Sequence, residues 1–172
     1  MRKGDCLFLL SCGSIVSHDI LERNTHNIVI HASKLPQGRG FAPLAWQILE
    51  GKNKIWISLF EAVEKLDSGD VYFQDFISFE GHELYDEMRK LEGEKVVAMA
   101  LRFVNEYPSK GRPQHGKSTW YSKRRPCDSE LNIKKTLRSQ FNILRIVDNE
   151  RYPAFFTYKG HTYILKISKK NN

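Results

Sequence analysis

A chain of 172 residues with 41% hydrophobic content can bury one ordinary core and still carry a small appendage. Charged residues make up 27%, and there is no Gly/Ser, Gln/Asn or acidic low-complexity run and no internal repeat, which excludes a disordered or repeat protein. Lys+Arg number 27 against 20 Asp+Glu, a formal net charge of +7 that favours an anionic partner, whether nucleic acid, a nucleotide or a polyglutamate tail.

At the start, Met1-Arg2-Lys3 before Leu7-Phe8-Leu9-Leu10 and Ser11-Cys12 mimics a lipoprotein signal. The apolar run is shorter than the roughly 7–15 residues of a signal core, and Asp5 stands at its entrance. No stretch approaches the ~20 apolar residues of a membrane span. Cys6, Cys12 and Cys127 have no metal-ligand spacing and leave an odd thiol, so the expected compartment is a reducing cytoplasm.

In chain order, the short apolar run Cys6–Ser11 predicts a strand buried on both faces, Ser17–Asn24 a short helix and Asn27–His31 a second strand. Phe41, Leu44, Ala45, Ile48 and Leu49 form an i, i+3, i+4, i+7, i+8 stripe, which predicts a helix over Phe41–Glu50 with Pro43 in its first turn and Gly51 as its stop. Ile55–Ala62 and Val71–Ile77 read as two more strands, separated by a segment ending in the turn Asp67-Ser68-Gly69-Asp70. Leu84, Met88, Leu91, Val96, Met99, Ala100 and Phe103 trace a long helix with a break at Gly93.

This order of elements belongs to an α/β domain. The polar segment Pro108–Thr119 reads as a loop to a second part, giving a core over 1–107 and an extension over 108–172. In the extension, Ile133, Leu137, Phe141 and Leu144 predict one helix, and Ala154–Tyr158 and Thr162–Ile167 a hairpin joined by Lys159-Gly160-His161. The tail Lys169–Asn172 is expected to fray.

Reactive groups of an α/β sheet gather where strands run out into loops, and His31 stands at such an end. An imidazole there can accept or relay a proton near neutral pH, which suits activation of an amine, although a His hydrogen-bonded there for structure is an equal reading. Asp67 follows the next strand, and a parallel sheet would set its carboxylate beside His31 to stabilise imidazolium. Asp70 is an equally acidic rival. His26 and His31 are an odd number of residues apart on a strand, hence on opposite faces, so no metal site is expected. A phosphate-binding Gly-rich loop followed by Lys-Ser/Thr is absent, as is a Gly-x-Ser-x-Gly nucleophile elbow.

Three ordered motifs, His31-x-Ser33-x-Leu35-Pro36-x-x-Arg39-Gly40, Pro43-x-x-Trp46-x-Ile48-Leu49-x-Gly51 and Leu66-Asp67-Ser68-Gly69-Asp70, resemble the folate-dependent formyltransferase family. The family includes enzymes acting on methionyl-tRNA, glycinamide ribonucleotide and nucleotide-linked amino sugars. The resemblance implies a Rossmann-like core, 10-formyltetrahydrofolate as donor, and catalytic roles for His31 and Asp67. It places the pteridine against two loops, here Leu10–Val16 and Ala62–Asp67, with Leu10, Cys12, Gly13, Ile15, Ala62, Val63 and Asp67 as the folate-binding residues.

There are two departures. Val29 stands where the family carries an asparagine that helps hold the oxyanion, and Asn27, two residues earlier on the same strand face, substitutes for it only through a displaced or water-bridged site. The chain also begins where a family member would be well inside its first domain. The core is therefore expected to be N-terminally shortened, its first strand leaving an apolar edge that is exposed or is covered by a second chain, as in a homodimer, or by the C-terminal hairpin.

Gln114-x-x-x-Ser118-Thr119-x-Tyr121-x-x-Arg124-Arg125-Pro126-x-Asp128 and, more loosely, Phe155-Phe156-x-Tyr158-x-Gly160 resemble the segment after the catalytic domain in enzymes formylating nucleotide-linked amino sugars. On that resemblance Trp120, Tyr121 and Arg125 touch the acceptor by stacking or by pairing with phosphate, and a packed aromatic pair with solvated arginines is the alternative. The expected reaction is formyl transfer to the amine of a nucleotide-linked amino sugar. A methionyl-tRNA formyltransferase-like enzyme and an inactive basic binding module are the alternatives, which leaves nucleic acid as a less favoured partner.

Overall fold

The computed structural model describes residues 4–170. In chain order its elements are β1 (Gly4–Leu9), α1 (His18–Leu21), β2 (Asn24–His31), β3 (Arg39–Gly40), α2 (Pro43–Leu49), β4 (Lys54–Glu61), β5 (Val71–Ser78), α3 (Tyr85–Asn105), β6 (Trp120–Tyr121), α4 (Phe141–Arg145), β7 (Ala154–Tyr158) and β8 (His161–Leu165). The main sheet has the order β1-β2-β4-β5, with β1 and β2 parallel and the β2–β4 and β4–β5 pairs antiparallel. This is the expected α/β class. No helix among the described residues is long and apolar enough to cross a membrane.

The β-branched runs of β2 and β4 form the centre of the core, where Ile28, Ile55, Ile57 and Leu59 are fully buried. Complete burial of such a side chain contributes about 1.5–3 kcal/mol, and Leu44 and Ile48 of α2 with Met88, Met99 and Phe103 of α3 complete the cluster. α3 runs unbroken through Gly93. A lone helical glycine costs only about 1 kcal/mol, less than the burial of Met88, Met99 and Phe103 returns.

The extension departs more from expectation. Instead of one helix from Ile133, a single 3-10 turn (Arg138–Gln140) leads into the five-residue α4, and Ile133 and Leu137 are 50% and 64% exposed. The Gln140 side chain accepts from the Asn132 N–H and donates to the Asn132 carbonyl, while the Asn132 side chain accepts from the Lys134 N–H. These local bonds compete with the helical ladder. Leu131, Leu144, Val147 and Ala154 form a second small core here.

The hairpin closes as expected, its turn residues Lys159 and Gly160 both at positive φ (47° and 79°), the geometry of a type I′ turn. It forms a sheet of its own and does not pair with β1, whose one strand partner among the described residues is β2. Of the tail expected to fray, Lys169 is held by Glu87 and His82, whereas Asn171 and Asn172 lie outside the described residues.

Candidate active site

The sheet sets His31 at the C-terminal end of β2, half-buried, with its ring edge-on to Phe60 of β4. Its Nε2–H donates to the Gly38 carbonyl at 2.8 Å. A carbonyl only accepts, so this bond puts the proton on Nε2 and leaves Nδ1 as the basic nitrogen of the neutral ring.

Asp67 reaches His31 by a route different from the expected one. β2 and β4 are antiparallel, so the end of β4 lies away from the end of β2, with Glu61 opposite Ile28 and His31 opposite Ser58. The segment 62–70 returns across this gap and places Asp67 Oδ2 at 3.9 Å from His31 Nε2, with the Asp67 side chain only 7% exposed. That separation exceeds a hydrogen bond and acts as a charge beside the ring.

Asp67 is fixed from two sides. Oδ2 accepts from the Gly40 N–H at 2.8 Å, and the Asp67 carbonyl accepts from the Gln114 side chain at 2.9 Å. The same Gln114 amide also serves the Gly69 carbonyl, and its oxygen accepts from Arg39. β3 and β6 pair in parallel, fastening the loop after His31 to the segment 114–121. Gly40 takes a φ of 98°, and a Cβ there would fall 2.3 Å from the Tyr121 carbonyl oxygen, so this junction requires glycine. Asp70, the rival carboxylate, is exposed and does not line the site.

His31 and Asp67 open into a cavity of about 480 Å³, within the range of small-molecule sites. Of the residues expected to bind folate, Cys12, Gly13, Ile15, Ala62 and Val63 line it, while Leu9 lines it rather than Leu10. The polypeptide from Cys12 to Val16 makes no backbone–backbone hydrogen bond within the described residues, and Ile15 and Val63 are 67% and 43% exposed. Free peptide groups next to exposed apolar side chains match a flat heteroaromatic ring with a polar edge, so these residues fit a pteridine.

The remaining assignments fall differently. Asn27 is outside the cavity lining, and its amide donates to the Leu21 carbonyl at 2.9 Å, tying α1 to β2. Val29 lines the cavity in its place. Trp120, Tyr121 and Arg125 are also outside the lining: Trp120 lies under the Arg39 guanidinium and the Tyr121 hydroxyl donates to Glu50. Their neighbours Lys123 and Arg124 face the cavity instead.

On α3, the wall is formed by Tyr85, Arg89, Glu92 and Val96, a single stripe at i, i+4, i+7 and i+11. Sequence reasoning passed over Glu92, whose side chain is only 14% exposed and pairs with Arg89. Burial pushes its carboxyl above the ordinary glutamate range, against the pull of Arg89 and His31.

Residues 1–100 match the family described as Formyl transferase. The chain belongs to that family. A curated methionyl-tRNA formyltransferase from Sulfurihydrogenibium sp. is 27% identical over 152 residues, which cover 82% of this chain and 47% of that protein. The chain therefore spans about half the length of that curated relative. Among solved structures, a methionyl-tRNA formyltransferase from Clostridium thermocellum superposes with a TM-score of 0.81 at 23% identity, covering 95% of this chain and 72% of that one. A 4-N formyltransferase from Francisella tularensis gives 0.76 at 17% identity, over 98% and 72% of the two chains. HypX from Aquifex aeolicus in complex with tetrahydrofolic acid also gives 0.76, at 18% identity over 94% and 28%. These likenesses show the shared formyltransferase fold.

Proposed function

We propose that this protein transfers a formyl group from 10-formyltetrahydrofolate to a primary amine, with His31 and Asp67 at the reacting centre. The observation that carries the reading is their approach to 3.9 Å at the wall of a cavity whose lining by Cys12–Val16 and Ala62–Val63 suits a pteridine. The fold neighbour solved with tetrahydrofolic acid supports the same donor. When bound, the donor supplies an electrophilic formyl carbon. His31 accepts or relays the proton released by the attacking amine, and the Asp67 carboxylate stabilises the charge that develops on the ring. The bonds from Gly40 and Gln114 keep Asp67 in register, so little reorganisation accompanies that charge.

For the acceptor, the reading is a nucleotide-linked amino sugar. Its support is the size of the cavity and the placement on its wall of Lys123, an ammonium for a pyrophosphate, next to Arg124, whose guanidinium is held by the Ile146 carbonyl and the Ser129 hydroxyl. The methionyl-tRNA formyltransferase relatives favour tRNA as the second reading. The two differ in salt response, because a tRNA engages many phosphates and each adds to the salt slope. Lys123→Ala is expected to weaken binding of a nucleotide-linked amino sugar about tenfold, with Arg125→Ala and charge reversals at Lys134, Lys135 and Arg138 changing it little. Filter-binding and calorimetric titrations across salt concentrations decide: steeply salt-dependent tRNA binding lost on the Lys134, Lys135 and Arg138 reversals would establish the tRNA reading.

A further inference from the structure

The stripe Tyr85, Arg89, Glu92 and Val96 is unusual because a helix face turned toward a cavity ordinarily carries apolar side chains. Here it carries an ion pair whose acidic member is largely withdrawn from water while the basic member is 44% exposed. An i, i+3 pair gains little even in the open, and taking a carboxylate out of water works against it, so stability does not account for Glu92. Lys123, Arg124 and His31 lie on the same lining as Glu92. The cavity thus brings together a histidine suited to proton transfer, the Lys123 ammonium and, on a different element from His31 and Asp67, a second carboxylate.

We propose that Glu92 is the amine-recognising group of this cavity: it pairs with the ammonium of the incoming acceptor and takes the proton that the amine must lose before it attacks. The inference rests on the amine-formylating reading above. A primary amine reaches the site mainly as R–NH₃⁺, which has no lone pair to donate. Proton transfer to the Glu92 carboxylate gives R–NH₂ and a neutral carboxylic acid. The amine lone pair then forms the new C–N bond to the formyl carbon, and the bond from that carbon to the folate nitrogen breaks. The second amine proton leaves through His31 to the released folate nitrogen, and Glu92 returns its proton to solvent. The products are R–NH–CHO, tetrahydrofolate and one proton, which balances R–NH₃⁺ and 10-formyltetrahydrofolate.

Burial raises the proton affinity of Glu92, which suits the transfer. The charged or titratable groups that share its cavity are Arg89 and Tyr85 on α3 and His31 on β2, with Cys12, Glu64, Asp67, Lys123, Arg124, Asp148 and Tyr152 elsewhere on the lining. Arg89 stays partly exposed and hydrated, leaving the carboxylate a second partner to take.

The test uses the full chain and a panel of UDP- and dTDP-linked hexosamines, each beside its hydroxyl counterpart. Calorimetry is expected to show the wild type binding the amino compound about tenfold or more tightly than the hydroxyl one, and Glu92→Gln losing that preference while tetrahydrofolate affinity is unchanged. Glu92→Asp should retain part of it. In turnover, Glu92→Gln should raise the acceptor KM most at neutral pH and least at alkaline pH, where the amine arrives already neutral. An amino preference that survives Glu92→Gln, a loss equal at every pH, or a loss of folate affinity instead would overturn the proposal. A wild type that discriminates amine from hydroxyl through Glu92 and yet formylates no amine would sink the underlying reading and keep the amine site.

Discussion

Replacing His31 by Ala or Asp67 by Asn is expected to lower turnover at least ~100-fold, the lower end for loss of a general acid–base group, with the fold intact. The Asn variant is the sharper probe. Its amide oxygen can still accept from the Gly40 N–H, and its carbonyl can still accept from Gln114, so the loop keeps its anchors and only the charge beside His31 disappears. His31→Ala removes the basic Nδ1 along with the bond to Gly38, while the loop remains fastened by the β3–β6 pairing and by the Gly38 N–H to Thr119. Asp70→Asn is the control, because that side chain is exposed and off the cavity. Single-turnover rates with 10-formyltetrahydrofolate, read beside thermal melting, separate chemistry from folding. Near-normal turnover in either variant would remove that residue from the mechanism.

How the elements form was legible wherever a pattern was local. The apolar runs of β2 and β4 and the stripe of α2 are short-range signals, and Lys159-Gly160 marks a turn by chemistry confined to two residues. How they assemble was less so. Strand direction depends on where a connection returns, and nothing in Leu66–Asp70 states that the segment crosses back over an antiparallel pair. The two-residue strands β3 and β6 carry no periodicity, yet their pairing is what fastens the loop beside His31.

The site divides in the same way. His31 and Asp67 stand out because each lies in a dense ordered motif beside glycine and proline. Glu92 was illegible because a glutamate three residues from an arginine on a charged helix reads as a solvated face, and only the packing of α3 shows which side of the helix turns inward. Gln114 was visible as a motif residue with no assigned task. Its task, holding the carbonyls of Asp67 and Gly69, exists only through contacts 45 and 47 residues away in sequence.

The largest effect on stability is expected at Arg145, which is 2% exposed and joins the extension to the core. Its guanidinium donates to the Glu83 carbonyl and carboxylate at 3.2 and 3.3 Å, to the Asn53 side chain at 2.8 Å and to Asn142 at 3.1 Å. Glu83 in turn accepts from the Glu80 and Gly81 N–H groups. Arg145→Met keeps much of the side-chain volume and removes the charge, stranding a buried carboxylate and two amide oxygens. Breaking one side of a buried pair costs about 3–5 kcal/mol, and urea unfolding should show a loss of that order with an unchanged denaturant slope. Adding Glu83→Gln should recover part of it, since the stranded charge is then gone. Burial pushes the Glu83 carboxyl up, but the Glu80, Glu83 and Gly81 N–H groups outweigh it and hold the carboxyl below its usual range. Its contribution is therefore present above the unfolded glutamate value of about 4.3 and is lost as pH falls through the lower folded value. Glu83→Gln should flatten that acid limb of the stability curve. A loss below about 1 kcal/mol for Arg145→Met, the level of an exposed pair, would mean that this cluster does not hold the extension to the core.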